Sequence, residues 1–220
     1  MQNAWSFSET CVGAASGRTV KGGHATRSRL FHSVSEGLAI AILVGSAIAA
    51  PVITGVRPAE PEPTADQLAP GLAVQYTYAI MNHIDEMKGR RFESGPPIAH
   101  LDWRMGSGIV LTSKAREGVG ARITGFIRFE KAGVYGFDVT TNDGVRLEIG
   151  GQLIHEIPGV GSDTTSDRTD VRIDRSGWYP IQIMYFQKRY TATLVVRWIG
   201  PGETGELTPV PPSALAHRKG

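Results

Sequence analysis

Three consecutive residues, Asn142-Asp143-Gly144, bring together the side chains in this sequence best suited to do chemistry. Two readings fit their types. As a turn, Asn and Asp bond their own backbone and Gly takes the left-handed conformation. As a site, an amide oxygen and a carboxylate are what a hard cation such as calcium collects, roughly six to eight oxygens in all. Other chemistry falls away. His83, His100, His155 and His217 lack zinc spacing. There is no G-x-S-x-G nucleophile elbow and no G-x-x-x-x-G-K-[ST] phosphate loop. Gly118-x-Gly120 is not completed to G-x-G-x-x-G, because position 123 is Ile. Asp85 and Glu86 do not argue for a glycosidase, whose acid pair is defined by separation in space. Asp163, Asp167 and Asp170 sit in a loop, Gly159 to Asp170, without the Gly and terminal Glu of an EF-hand, and it reads as a solvated surface loop. No catalytic constellation emerges, and the sequence predicts a protein that is not an enzyme.

The elements that hold this triplet are strands. Val145, Leu147 and Ile149 alternate with Arg146 and Glu148, the period of a half-buried strand, and Gly150-Gly151 supplies a two-residue hairpin turn. The same punctuation runs from Gly71 to His217, through "GLAVQYTY", "ARITGFIRFEKAGVYGFDVTT", "WYPIQIMYF" and "YTATLVVRW". Only "YAIMNHIDEMKG" departs from it, as a short helix or an irregular excursion. Many short strands with almost no helix predict an all-β antiparallel sandwich or barrel. Its core is expected to include Ile123, Phe137, Leu147, Ile149, Ile181, Ile183, Leu194 and Trp198.

The bulk numbers set the frame. The chain has 220 residues, 41% hydrophobic and 20% charged, which suits one folded domain plus extensions. With 23 Lys+Arg against 21 Asp+Glu the net charge is +2, and no nucleic-acid partner is implied. The single cysteine, Cys11, lies outside the strand-rich part and reads as an unpaired thiol.

Four segments follow. Residues 1–36 are polar, Ser- and Gly-rich and basic, and read as a disordered leader. Residues 37–56 form an uncharged apolar run whose core, Leu38 to Ala50, has signal-peptide length, with Ala47-Ile48-Ala49 as a cleavage pattern. Continued through Val56 and uncleaved, the run approaches the length of a membrane anchor. Basic residues ahead of it favour export of everything behind it. The expected location is therefore a periplasm or cell envelope. Residues 57–70 alternate Pro with acidic residues and read as an extended linker. Residues 71–217 are the sandwich.

These residues resemble the protective-antigen (PA-fourteen) domain, a β-sandwich module of bacterial toxins, glycosidases and yeast adhesins. "GLAVQYTY" resembles its opening strand, "LDWRMGSGIV" its Asp/Trp segment, and "ARITGFIRFEKAGVYGFDVTTNDGVRLEIGGQLI" its central signature. "SGWYPIQIMYFQ", "TLVVRW" and "VPPSALAH" resemble its closing pieces, in the family's order. The resemblance implies a family linked in part to carbohydrate binding. In its sugar-binding adhesins, the place of Asn142-Asp143 holds two Asp residues joined by a cis peptide, which ligate a calcium ion that grips two sugar hydroxyls. Asn142 and Asp143 are thus the metal candidates here, with one charge fewer. Opposite them the adhesins place an Asn and Gly-rich loop, and this chain has Gln187-Lys188-Arg189-Tyr190. The expectation is a polar pocket with no cofactor, in which Lys188 or Arg189 reaches toward Asp143 in place of calcium. Trp103 is expected to be the exposed aromatic. The implied function is an exported module binding an envelope or extracellular polysaccharide. The alternative is a non-lectin structural or interaction module of the envelope.

Overall fold

The computed structural model describes residues 51–220, so the 1–36 leader and the apolar run as far as Ala50 lie outside the described residues. The strands are β1 (Val52–Ile53), β2 (Leu68–Pro70), β3 (Leu72–Tyr78), β4 (Glu93–Ile98), β5 (Asp102–Gly106), β6 (Val119–Phe129), β7 (Gly133–Thr141), β8 (Val145–Ile149), β9 (Gln152–Ile157), β10 (Thr164–Thr165), β11 (Thr169–Ile173), β12 (Gly177–Gln187), β13 (Ala192–Ile199), β14 (Thr208–Pro209) and β15 (Leu215–Arg218). Three single turns of 3₁₀ helix interrupt them, at Ala65–Gln67, Ile84–Met87 and Pro212–Ala214.

The strands form two sheets, packed as a β-sandwich of the protective-antigen domain type. One has seven strands in the order β1-β11-β7-β13-β14, with β10 also on β7 and β5 on β13. The other has eight, in the order β2-β15-β6-β12-β8-β9, with β3 on β6 and β4 on β3. The alternation in the sequence becomes the two faces of each strand. In β12, Tyr179, Ile181, Ile183 and Tyr185 are buried, while Pro180 and Gln182 are exposed. Ile123, Phe137, Leu147, Ile149, Ile181, Ile183 and Leu194 all lie in the core, as expected, and Trp198 packs against it half-buried. Phe129 sits at the centre of an aromatic cluster with Tyr135, Phe137, Tyr179 and Trp198. The β8–β9 hairpin turns on Gly150 and Gly151, both at positive φ (55° and 79°), as a two-residue turn of this kind requires.

The folded part starts earlier than Gly71. Val52 and Ile53 pair in parallel with Asp170 and Val171 of β11. The chain then crosses one end of the sandwich as a strap. Arg57 donates its backbone N–H to the Gly150 carbonyl (3.0 Å) and Ala59 to the Trp178 carbonyl (2.8 Å). A Glu62 carboxylate oxygen accepts from the Trp178 N–H (3.1 Å), and β2 pairs with β15. Residues 57–70, expected as an extended linker, are docked on the sandwich and include the Ala65–Gln67 turn and β2. Burial explains this: Val56, just ahead of the segment, and Ala59 and Pro63 within it are buried against the sandwich. The last residues of the 37–56 run are likewise part of a sheet. No helix among the described residues is long and apolar enough to cross a membrane.

The irregular segment 79–92 contains the Ile84–Met87 turn and carries a second, smaller core of Met81, Ile84, Met87 and Phe186. Arg146 on β8 ties it down through the carboxylates of Asp85 and Glu156.

Candidate functional site

At the end of the sandwich opposite the strap, three loops converge. Asn142-Asp143-Gly144 links β7 to β8, residues 188–191 link β12 to β13, and the loop after β9 closes the third side. Between them lies a cleft of about 350 Å³ lined by Asn142, Asp143, Gly161, Ser162 and residues 188–191. The structure thus brings Asn142, Asp143, Lys188 and Arg189 together, as expected from the sequence.

Their roles differ from expectation. Asp143 is buried, at 4% exposure, and both carboxylate oxygens are occupied by backbone donors. Oδ1 accepts from Gly161 N–H (3.2 Å) and Oδ2 from Lys188 N–H (2.7 Å). Asp143 therefore contacts Lys188 through its main chain. The Lys188 ammonium points elsewhere, to the side-chain oxygen of Asn82 at 2.7 Å. Arg189 is exposed and makes no ion pair among the described residues. The expected ion pair gives way to two charge-assisted hydrogen bonds, because two loops each present a backbone amide, Gly161 and Lys188, to the carboxylate.

Asn142 is also nearly buried, at 7%. Its amide nitrogen donates to Asp163 Oδ1 (3.1 Å) and Thr191 Oγ1 (3.2 Å), and its backbone N–H to the Thr193 carbonyl (3.2 Å). Asp163 completes the bridge by accepting from Thr193 Oγ1 (3.1 Å). Its loop is exposed, as expected, yet this carboxylate is part of the scaffold, and nothing in the local sequence marks it. Gly144 is not left-handed, since it is absent from the glycines with positive φ. A side chain there would collide with the Phe186 ring, so its role is close approach. The Phe186 N–H in turn donates to the Gly144 carbonyl (2.9 Å). The one cis peptide among the described residues is Glu60–Pro61, so Asn142–Asp143 is trans.

Trp103 is not part of the cleft. It lies on β5 opposite Leu194, half-buried, with its ring stacked on His100 (4.5 Å between centroids) and its indole N–H on the His100 carbonyl (2.8 Å). The exposed aromatic is Tyr190, at 75% exposure and with φ at 68°. Its backbone N–H donates to Glu117 Oε1 at 3.0 Å. Its place at the tip of a strand-to-strand loop was the signal that could have found it.

In the interior beside the site, burial and the nearby Asp143 and Asp163 carboxylates push the Tyr185 phenol far above its ordinary pKa, so it remains a protonated hydroxyl. Neither Tyr185 Oη nor Gln187 Oε1 has a hydrogen-bond partner among the described residues. The donor set suits calcium poorly. Calcium takes several free oxygens, whereas each Asp143 oxygen already accepts a backbone N–H, from Gly161 or from Lys188. Among the described residues no three His, Cys, Asp or Glu side chains converge to hold a metal.

Comparison with known proteins places this geometry in context. The PA14 domain family model matches residues 107–210, which contain the whole cleft. No curated protein sequence matches the chain. Among solved structures, the PA14 domain of the MpAFP antifreeze protein aligns with a TM-score of 0.57 at 17% identity, over 71% of this chain and 95% of that one. A PA14 sugar-binding domain from an RTX adhesin gives 0.52 at 16% identity, over 68% and 99%. The Epithelial Adhesin 9 A domain from Candida glabrata, in complex with Galβ1-4GlcNAc, gives 0.57 at 13% identity, over 74% and 95%. An anti-sigma factor domain-containing protein gives 0.56 at 24% identity over 67% of this chain, which spans about half (48%) of that neighbour. At these identities the likeness concerns the fold.

Proposed function

We propose that the protein is an exported carbohydrate-binding module whose ligand occupies the cleft between Asn142-Asp143 and residues 188–191. The observation that carries this is the cleft itself. It is concave and polar, rimmed by the hydrogen-bonding groups of Ser162, Lys188, Arg189 and Thr191, with Tyr190 exposed beside them. Sugars bind through arrays of hydroxyl hydrogen bonds together with the flat face of an aromatic ring, and this rim offers both kinds of contact. The sugar-binding domains among the structural neighbours support the same reading. Export rests on the apolar run ahead of Pro51 and its basic leader. A cell-envelope location follows from it, and a membrane attachment if the run is uncleaved.

The test is binding of the full chain to an immobilised panel of bacterial and host glycans. Retention on at least one glycan, weakened at least tenfold by Tyr190→Ser combined with Thr191→Val, is expected. Absence of retention on the whole panel would overturn the reading. One observation favours the second reading, a non-lectin interaction module: the Asp143 carboxylate, although it lines the cleft, braces two loops through their backbone N–H groups. In that case the same variants leave every glycan signal at background, while export of a C-terminal reporter fusion is unchanged.

A further inference from the structure

We infer that the cleft works without calcium, and that the Lys188 ammonium, held in place by Asn82, is the cation at its rim that grips the ligand, with Arg189 beside it unfixed by any ion pair among the described residues. This rests on the carbohydrate reading of the same cleft and adds how the ligand is gripped.

Hydrogen-bond polarity is the first support. A calcium cage needs oxygens aimed inward, and here the groups aimed at Asp143 are the amides of Gly161 and Lys188. A calcium ion drawing on Asp143 would have to share a carboxylate that already accepts two backbone N–H groups. Asn142 commits its amide nitrogen to Asp163 and Thr191, which leaves only its amide oxygen without a partner among the described residues, far short of the roughly six to eight oxygens calcium collects. Asp163 is the other nearby carboxylate, and both of its oxygens accept from these partners, Asn142 and Thr193.

The second support is where the positive charge sits. Lys188 has three ammonium donors. One goes to Asn82 Oδ1 at 2.7 Å, leaving two. Asn82 is neutral, so it orients the ammonium without cancelling its charge, and Lys188 makes no ion pair among the described residues. Asn82 is itself fixed: its backbone N–H donates to Glu86 Oε1 (3.1 Å), and its neighbours Met81 and Ile84 are buried in the second core. The flanking bridge between His83 and Gly159 ties the segment to the loop that forms the cleft's third side. The otherwise unexplained 79–92 excursion thus acquires a purpose. It carries a neutral acceptor to the one lysine of the rim. An ammonium with two free N–H donors can donate to the oxygens of two adjacent sugar hydroxyls.

The experiment uses the full chain, calcium chloride alone as one probe and the immobilised glycan panel as the other. Calorimetric titration with calcium is expected to give no saturable heat. Glycan retention should be the same in excess chelator as in millimolar calcium. Lys188→Gln should weaken retention at least tenfold and Asn82→Ala by a smaller factor, with thermal midpoints near that of the parent chain, while Lys188→Arg retains part of the binding. Calcium uptake at micromolar concentration that is lost in Asp143→Ala would overturn the inference, as would retention abolished by chelator. Chelator-insensitive retention left intact in Lys188→Gln would overturn the role of Lys188 while sparing the carbohydrate reading. No retention of the parent chain on any glycan would overturn both.

Discussion

Replacing Asp143 with Ala should unbrace the cleft, and the size of the effect can be worked from two bonds. The carboxylate is 4% exposed and accepts the N–H groups of Gly161 and Lys188 at 3.2 and 2.7 Å. Hydrogen bonds to a charged group contribute about 1.5–3 kcal/mol each, and truncation strands both donors. Part of the loss is recovered because a buried charge disappears, so the expected destabilisation is about 3–5 kcal/mol. For a folded unit of this size that corresponds to a fall in melting temperature of roughly 2–4 °C per kcal/mol. Asp143→Asn keeps one acceptor but turns an NH₂ toward the other donor, and should recover less than half of the loss. Urea denaturation of the full chain gives the free energy, and amide exchange gives the location. The Gly161 and Lys188 amides should lose protection under conditions where the Ile183 amide keeps it. A loss below about 1 kcal/mol, with both amides still protected, would refute the brace.

Two further outcomes test the scaffold. Leu147, fully buried on β8, should cost about 2–5 kcal/mol on replacement by Ala, measured by urea denaturation; a cost below about 0.5 kcal/mol would mean that its inward face is misassigned. His155 is 7% exposed and bonds the Phe137 carbonyl through Nε2 at 3.1 Å, so it acts there as the neutral donor. Burial holds its pKa below the ordinary value near 6.5, only partly offset by that bond and by Asp138. The unfolded chain therefore takes up the proton first. This contribution to stability is intact above about pH 6.5 and is lost as the pH falls from there toward the lowered folded value. Melting scans between pH 7 and 5 should show a steeper decline in the parent chain than in His155→Gln, and equal slopes would contradict the assignment.

How much of this was legible follows from what alternation can and cannot encode. Period-2 patterning reports which face of a strand is wet, and Ile181, Ile183 and Leu147 are in the core because of it. The location of the cleft was legible too, since loops between strands gather at the ends of a sandwich and Asn142-Asp143 lies in one of them. Its wiring was not. A lysine in a loop has a backbone donor and a side-chain donor, and sequence does not say which meets the carboxylate; here it is the backbone. The Asn142–Asp163 contact joins residues 21 positions apart through an exposed loop that carries no hydrophobic pattern. The docking of the strap was not legible because Pro and Glu dominate residues 57–70, while the buried contacts come from Val56, Ala59 and Pro63 and the backbone bonds from Arg57 and Ala59. Trp103 was misplaced because an irregular segment conceals which side of a short strand faces inward.

The strap also sets how the molecule carries load. It crosses the sandwich beside Trp178, at the start of β12, whereas the cleft opens beside Lys188, just past that strand's end. At about 3.3 Å per residue these points lie roughly 30 Å apart, at opposite poles. A pull applied between β1 and the cleft would run along the strands. β1, with two register pairs on β11, would peel first and lengthen the tether slightly. Beyond it the force would meet β12, paired over its full length with β6 and over five residues with β8, in shear, where the ladder bonds share the load instead of breaking one after another. The fold therefore has a compliant lead at its β1 end and a stiff spine running from the strap to the cleft.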